Sequence, residues 1–267
     1  MANIGIVAGG GRLPIVFSDV ARKKGDKVLG MGLKGVTDPE LESHVDKFIW
    51  FEKGAVQKAI MSLVTDRINR IVLLGKLRKD LFFKGDEGID AETKAILGKL
   101  NDRRDYSLLN EGAKFLGKFG IEIMDPSPYL TDLIPQKGVL TKRAPTKEEA
   151  EDIDYGNAIA RELTRFDIGQ TVLVKLKTVI ALEAVEGTDE AIARAGQLSK
   201  KGFVAVKIAR PDQDMRFDVP LVGPETLEAI SKAGGTALAL ESGRTFLMDR
   251  QEVVRFADEK GIAVVVI

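Results

Sequence analysis

The chain has 267 residues, of which 44% are hydrophobic and 30% charged, and its 40 basic and 40 acidic residues give a formal net charge of zero. This composition is typical of a globular protein and excludes disorder, and the length is enough for one large or two modest domains. Zero net charge argues against bulk binding of nucleic acid, which requires a basic excess or a basic face.

Cysteine and histidine content limits the chemistry further. There is no cysteine, so a disulfide, a thiolate metal site and a cysteine nucleophile are excluded, and the single histidine is His44. A histidine-based zinc site or a Ser-His-Asp triad is therefore nearly excluded. Catalysis would have to come from carboxylates, lysines, hydroxyl groups or a hard metal ion.

The hydropathy pattern argues against a membrane span, because no uninterrupted apolar stretch approaches the roughly 18 residues that a spanning helix needs. The first residues show no charged leader and no cleavage signal. We therefore expect a cytoplasmic protein, peripheral to a membrane at most.

The first half of the chain alternates between short apolar runs and segments of helical spacing. Strands are predicted at 4–8, 27–31, 48–51, 70–75 and 121–124, and helices at 13–21, 55–65 and 91–119, the last broken near Asp105. Strands that are apolar on both faces and alternate with helices predict a parallel sheet covered on both sides. Residues 1–130 are therefore expected to form an α/β domain around this sheet.

Four prolines then predict a connector over 126–146 with little regular structure. A capping-box pattern at 146–149 predicts a helix to about residue 165, and a hairpin is predicted from 171–175 and 178–182. Further helices are expected at 188–201, 224–232 and 249–260, and strands at 203–208, 236–240, 245–248 and 262–267. The second domain, 138–267, is thus a mixed α/β domain, and we expect a substrate cleft between the two domains.

A glycine-rich segment separates the first strand from the first helix. Phosphates bind at this position in α/β proteins, because backbone amides and the helix N-terminus attract anions. An NAD site is disfavoured, since Pro14 replaces the last glycine of the dinucleotide fingerprint and the second strand ends without an acid for the ribose. The alternative is a tight turn between strand and helix. The candidate contacts are Gly9, Gly10, Gly11, Arg12 and Leu13.

A basic loop follows the fourth strand, with Lys76, Arg78 and Lys79 after Gly75. In a parallel sheet this loop lies at the same edge as the glycine-rich segment, so its lysines could pair with a phosphate. A solvated basic loop is an equally good interpretation of the pattern alone.

Two acidic segments could bind a hard metal ion. Glu186 and Asp189 flank a glycine turn before a helix, where carboxylates suit Mg²⁺ or Mn²⁺, although spacing alone favours helix capping with Thr188 as the cap. Residues 212–220 form a second acidic loop. Within it, Asp218 lies between Phe217 and Val219, and a partly buried acid is more often functional or paired than an exposed one.

Four segments taken together carry a resemblance to a known family. They are residues 6–14, 167–170 and 183–189, and Asp218, Val219 and Pro220 followed by Gly223 and Thr226. In this order they resemble the LpxI-type UDP-2,3-diacylglucosamine pyrophosphatases of lipid A biosynthesis, and the resemblance covers nearly the whole chain.

The resemblance implies that the N-terminal domain, 1–130, is Rossmann-like. It also implies a hydrolase that converts UDP-2,3-diacylglucosamine to UMP and 2,3-diacylglucosamine 1-phosphate (lipid X). Water would attack the α-phosphorus with the help of Mg²⁺ or Mn²⁺. It further implies a homodimer that reaches its lipid substrate at the inner-membrane surface. The alternative is a non-catalytic protein that binds a nucleotide sugar or lipid on the same scaffold.

Site residues follow from the resemblance and the patterns together. Asp218 corresponds to the essential aspartate of the family, and Lys207 could pair with the diphosphate. The predicted catalytic residues are Asp218, Asp189 and Lys207, with Asp218 and Asp189 as metal ligands. The predicted substrate contacts are Gly9, Gly10, Gly11, Arg12, Leu13, Gly75, Lys76, Gln170, Glu186, Gly187 and Thr188.

Overall fold

The computed structural model of the chain describes residues 2–52, 55–76, 105–217 and 219–267. The chain divides into two compact units. The first comprises Met1–Leu130 with Met215–Phe217, and the second comprises Thr131–Asp214 with Asp218–Ile267. Each unit is built around its own sheet.

The first unit contains a five-stranded parallel sheet in the order β3-β2-β1-β4-β5. Its elements are β1 (Asn3–Ala8), α1 (Leu13–Lys23), β2 (Lys27–Leu33), β3 (Lys47–Phe51), α2 (Val56–Thr65), β4 (Arg70–Leu74), α3 (Asp105–Gly117) and β5 (Glu122–Ile123). The central strands are buried on both faces, as their continuous apolar runs require. The predicted Rossmann-like parallel sheet is confirmed; the predicted helical residues 91–104 lie outside the described residues.

Phe217 completes the apolar core of the first unit although it is distant in the sequence. Its side chain is 2% exposed and belongs to a cluster with residues of β2, α2 and β4, among them Met31, Leu63 and Ile71. The residue that precedes Asp218 is therefore fixed by apolar packing.

The second unit contains a six-stranded mixed sheet in the order β6-β13-β11-β9-β7-β8. Its strands are β6 (Gly138–Val139), β7 (Thr171–Lys175), β8 (Thr178–Leu182), β9 (Phe203–Lys207), β11 (Gly235–Leu240) and β13 (Ala263–Val266), and β10 (Leu221–Val222) pairs separately with β12 (Phe246–Leu247). Its helices are α4 (Lys147–Arg165), α5 (Thr188–Ser199), α6 (Pro224–Ala233) and α7 (Arg250–Lys260). The predicted mixed α/β fold is confirmed.

Apolar residues on alternate positions of the strands fix which helices cover each face. Val204 and Val206 of β9 pack with Ile153 and Ala160 of α4. Phe203 and Ala205, one position out of phase, pack with buried residues of α5, α6 and α7. One helix therefore covers one face, and three described helices cover the other.

The connector that was predicted to have little regular structure contains one short strand. Gly138 and Val139 form β6, an antiparallel edge strand on β13, and the Leu140 amide extends the pairing by donating to Val264 O. The prolines at 135 and 145 leave the residues between them free to donate hydrogen bonds, so a two-residue strand fits within this interval. Such a short strand has no detectable period in the sequence.

The predicted capping box at the start of α4 is confirmed. The Glu149 amide donates to Thr146 Oγ1 (3.2 Å), and the Thr146 amide donates to Glu149 Oε2 (2.8 Å). The same carboxylate accepts two hydrogen bonds from Arg143, which also donates to Thr236 O. Burial raises the pKa of Glu149, but the Arg143 guanidinium and the Thr146 amide outweigh it and the net shift is downward.

The hairpin turn between β7 and β8 places two non-glycine residues in the left-handed region of backbone conformation. Leu176 and Lys177 have φ of 52° and 53°. Asp152, which is 3% exposed, accepts hydrogen bonds from both of their amides at 2.8 and 2.6 Å. The buried carboxylate compensates for a conformation that costs roughly 1–2 kcal/mol for each residue with a Cβ atom.

We predict that Lys177→Gly stabilises the second unit by about 0.5–1 kcal/mol, because glycine adopts positive φ without the Cβ clash. Urea unfolding followed by circular dichroism measures the effect. Thr178→Gly is the matched control one residue further, in extended backbone, and should destabilise. A loss of stability in Lys177→Gly equal to that of the control would contradict the prediction.

Candidate functional site

Polar side chains of three neighbouring strands meet at the carboxyl edge of the second sheet. Lys207 is the last residue of β9, and its register partner Thr171 is the first residue of β7. Glu183 follows β8 directly, and its amide donates to Thr171 O. Because β8 and β9 are both antiparallel to β7, they end at the same edge, which is where open α/β sheets place their sites.

The Lys207 ammonium is buried in a network of oxygen atoms. Its side chain is 7% exposed, and Nζ donates to Thr188 Oγ1 (2.7 Å) and to Thr171 Oγ1 (3.4 Å). Glu183 Oε2 lies 3.8 Å from Nζ, and Glu183 Oε1 accepts a hydrogen bond from Thr188 (2.9 Å). The Thr188 hydroxyl therefore donates to the carboxylate and accepts from the ammonium.

Glu183 is held in its ionised form. Burial raises the pKa of its carboxyl group, but the Lys207 charge opposes this, together with hydrogen bonds from Thr171, Thr188 and the Gln170 amide. The net pKa is lower than that of an ordinary glutamate. The site thus contains a buried ion pair, whose members could not be desolvated separately without a large cost.

The turn after Glu183 leads into α5 and places the predicted residues Glu186, Gly187, Thr188 and Asp189. Gly187, with φ of 90°, is the N-cap and provides no side-chain cap, so the interpretation of Thr188 as the cap was wrong. Its hydroxyl is directed inward to Glu183 instead. Glu186 pairs with Arg194 at 2.8 Å, and Asp189 is exposed in the first turn of the helix.

Gln170 lies beside this network, as predicted for a site residue, and is 9% exposed. Its backbone amide donates to Glu183 Oε2 (3.3 Å), and its backbone carbonyl accepts from the Ile208 amide. Gly169 leaves no room for a side chain, since a Cβ atom there would lie 2.1 Å from Glu183 O. The loop before β7 is thus packed tightly onto the residue that carries the buried carboxylate.

Two further ion pairs occupy the same edge. Asp167, in the left-handed region with φ of 56°, accepts from Arg210 Nε at 2.6 Å, and both side chains are largely buried. Glu241, which follows β11, accepts from the Ala209 amide (2.8 Å) and lies 3.5 Å from Arg161 Nη1. The edge therefore presents several cations, each associated with an acidic partner.

The glycine-rich loop of the first unit uses two of its amides internally. Gly9 donates to Leu74 O and Gly10 to Lys76 O, and the Lys76 amide donates back to Gly10 O. A Cβ atom on Gly9 or on Gly75 would come within 2.7 Å of the opposite backbone, so both glycines permit close approach of the two loops. The amides of Gly9 and Gly10 are therefore not available to a phosphate, and the predicted substrate contacts of this loop and of Lys76 stay predictions.

Asp218, which was predicted to be the essential catalytic aspartate, lies outside the described residues, as do Arg78 and Lys79. Among the residues that the structure describes, no three acidic or histidine side chains converge as metal ligands. Glu183 pairs with Lys207 and Glu186 with Arg194, so each of these two carboxylates already has a cationic partner. The predicted ligand roles of Asp218 and Asp189 stay predictions.

The sequence predicted Lys207, Thr188 and Gln170 as site residues. It did not predict Glu183 or Thr171, with which they form hydrogen bonds and an ion pair. The available signal was the predicted hairpin: its register places the residue after β8 beside the first residue of β7. Glu186 and Asp189 of the turn before α5 were interpreted as capping or metal-binding groups. Glu183, whose carboxylate is buried, was not distinguished from these exposed acids.

Fold and site together define a two-unit α/β protein with a buried, charged site at the carboxyl edge of its C-terminal sheet. Comparison with known families gives the particular one. The LpxI N-terminal domain matches residues 3–133, and the LpxI C-terminal domain matches residues 136–265. The chain belongs to the LpxI family.

A relative with a named activity aligns along the whole chain. The UDP-2,3-diacylglucosamine pyrophosphatase LpxI of Caulobacter vibrioides is 28% identical over 275 residues, which cover 99% of this chain and 97% of that protein. The alignment thus includes both units.

Solved structures show a much weaker likeness. A biotin carboxylase from Campylobacter jejuni in complex with β-γ-ATP is 11% identical with a TM-score of 0.29, and the match covers 74% of this chain and 42% of that one. The biotin carboxylase subunit of a pyruvate carboxylase is 12% identical with a TM-score of 0.28, covering 75% and 42%. This chain spans less than half the length of those proteins, and TM-scores this low say nothing about its fold or function.

The helices that the structure describes include none that is long and apolar enough to cross a membrane.

We predict that the stability contributed by Glu183 depends on pH. Because its folded-state pKa is lowered, the contribution is fully present above the ordinary glutamate pKa of about 4.3 and is lost as the pH falls through the folded value. At pH 7, Glu183→Gln should cost about 3 kcal/mol, since it leaves the Lys207 charge buried and unpaired.

Unfolding free energies of both proteins, measured between pH 7 and pH 3, test this. The difference between wild type and Glu183→Gln should be largest above about pH 5 and should shrink below it. A difference that stays constant over this range would show that the ionised carboxylate is not the source of the lost stability.

Proposed function

We propose that this chain is a hydrolase that cleaves the pyrophosphate of UDP-2,3-diacylglucosamine, with UMP and 2,3-diacylglucosamine 1-phosphate as products. The observation that carries the proposal is membership of the LpxI family across both units, with a relative of that named activity aligned over 99% of the chain. The absence of cysteine, with His44 paired to Asp19, is compatible with hydrolysis by carboxylate and lysine groups.

Lys207 supplies positive charge for the diphosphate. The pyrophosphate group is anionic and repels an attacking water, so a cation fixed at the carboxyl edge lowers the barrier by stabilising charge that builds up in the transition state. The environment of Lys207 supports this role, because the side chain is buried, oriented by two hydroxyl groups and located at the end of a strand. The family resemblance implies that Asp218 is essential, and in this proposal Asp218 activates or orients the attacking water.

The remaining features of the proposal come from the resemblance. They are dependence on Mg²⁺ or Mn²⁺, assembly as a homodimer, and access to the lipid substrate from the inner-membrane surface. Of the two predicted metal ligands, Asp189 lies in the first turn of α5 and Asp218 lies outside the described residues, so no step of the reaction is assigned to a metal ion. Size-exclusion chromatography with light scattering tests the dimer, and sedimentation with anionic lipid vesicles tests the membrane contact.

The direct test of the activity is incubation with UDP-2,3-diacylglucosamine and Mg²⁺, followed by quantification of UMP. We expect steady release by the wild type and a loss of at least about a hundredfold in Asp218→Asn, as for removal of a general base. Glu228→Gln, an exposed acid of α6, is the matched control and should keep the wild-type rate. Tight UDP-sugar binding without UMP release would favour the non-catalytic alternative.

We also expect chelation of divalent metal with EDTA to abolish UMP release and added Mg²⁺ or Mn²⁺ to restore it. Metal ions neutralise charge on the diphosphate and orient the water in reactions of this type. The thermal midpoint should be recorded in parallel to separate lost chemistry from lost structure. Undiminished turnover in EDTA would eliminate metal from the proposal.

A further inference from the structure

We propose that Glu183 is a positioning residue: it holds the Lys207 ammonium in the orientation that faces the diphosphate. The inference rests on the proposed function, in which Lys207 contacts that group. Its basis is the geometry of four side chains at one edge of the second sheet.

The Thr188 hydroxyl connects the two charges with a defined polarity. A hydroxyl group has one hydrogen atom, and an ionised carboxylate can only accept. The Thr188 hydrogen is therefore directed to Glu183 Oε1 (2.9 Å), which leaves an oxygen lone pair for the Lys207 N–H at 2.7 Å. Glu183 thus sets the direction in which Thr188 accepts, and through it the place of the ammonium.

Glu183 attracts Lys207 without occupying its donors. The distance of 3.8 Å between Oε2 and Nζ is too long for a hydrogen bond but short enough for strong attraction in a buried site. Two N–H groups are directed to Thr171 and Thr188. The carboxylate therefore holds the cation in place without taking an N–H group that a substrate oxygen could use.

Orientation matters because lysine is a flexible side chain. Its four-carbon stem has many rotamers, and an ammonium that is not fixed must be ordered during the reaction. Catalytic groups act best when they are fixed before the transition state forms. Loss of Glu183 should therefore slow the chemical step more than it weakens substrate binding.

A matched control exists in the same unit. Glu149 is also a partly buried carboxylate bound to a cation, Arg143. Arg143 donates to Thr236 O near the beginning of β11, at the opposite edge of the sheet from Lys207. Glu149→Gln removes one charge of an ion pair, as Glu183→Gln does. It reports what the loss of such a charge costs in stability without disturbing Lys207.

The experiment is a double-mutant cycle in the full chain, with kcat, KM and thermal midpoint measured for UMP release. The variants are Glu183→Gln, Lys207→Met, their combination and Glu149→Gln. We expect Glu183→Gln to lower kcat about tenfold, equivalent to about 1.4 kcal/mol, with KM changed less than about threefold. In the Lys207→Met background the same change should alter kcat less than about twofold, and Glu149→Gln should lower the thermal midpoint while kcat stays within about twofold.

The outcomes separate the inference from the function on which it rests. No UMP release by the wild type overturns the proposed function and the inference with it. A wild-type rate in Lys207→Met removes Lys207 from the reaction, so Glu183 has nothing to position. An equal effect of Glu183→Gln with and without Lys207 overturns the inference alone.

A second pair of variants keeps the test valid if the Glu183→Gln protein does not fold. Thr188→Val removes the connecting hydroxyl without changing charge, and Thr188→Ser retains it. We expect Thr188→Val to lower kcat about tenfold and Thr188→Ser to stay within about twofold of wild type. Equal rates in the two variants would overturn the role of the hydroxyl and the inference.

Discussion

The buried Lys207–Glu183 pair is the constraint on which the second unit depends. Neither charge can be transferred out of water without the other, because the desolvation of an unpaired ion costs several kcal/mol. Three elements must therefore meet with their ends in register: β9 supplies the cation, β8 leads into the carboxylate, and α5 supplies the hydroxyl between them. The fold satisfies this requirement at the carboxyl edge, where loops can vary while the strands stay fixed.

The two glycine-containing loops show that the position of a motif does not by itself define the contacts of its residues. Gly9 and Gly10 lie at the strand–helix junction that binds phosphates in many α/β proteins, but their amides donate to Leu74 O at the end of β4 and to Lys76 O in the loop that follows. The close approach of those loops explains Gly9 and Gly75 without a ligand. Near α5, the interpretation of Thr188 as the helix cap was wrong, since its hydroxyl donates to Glu183 Oε1, whereas Asp189 does lie in the first turn of the helix.

Local patterns predicted most of the fold because each was determined by neighbours in sequence. The capping box at Thr146 and Glu149 and the hairpin of β7 and β8 depend on spacing, and both were found where predicted. The network around Lys207 could not be predicted in the same way, because it depends on the order of strands in the sheet. Thr171 and Lys207 are 36 residues apart, and only the pairing of β7 with β9 makes them neighbours.

The short strand β6 has a consequence for how this protein can be divided. β13 is an apolar strand, and among the described residues its outer edge is covered by Gly138, Val139, the Leu140 amide and the Thr141 hydroxyl, which accepts from the Val264 amide. An uncovered strand of this composition is a template for pairing with other chains, which leads to aggregation. A separately expressed C-terminal half that began at the capping residue Thr146 would lack this cover, so its solubility depends on including the eight residues from 138 to 145.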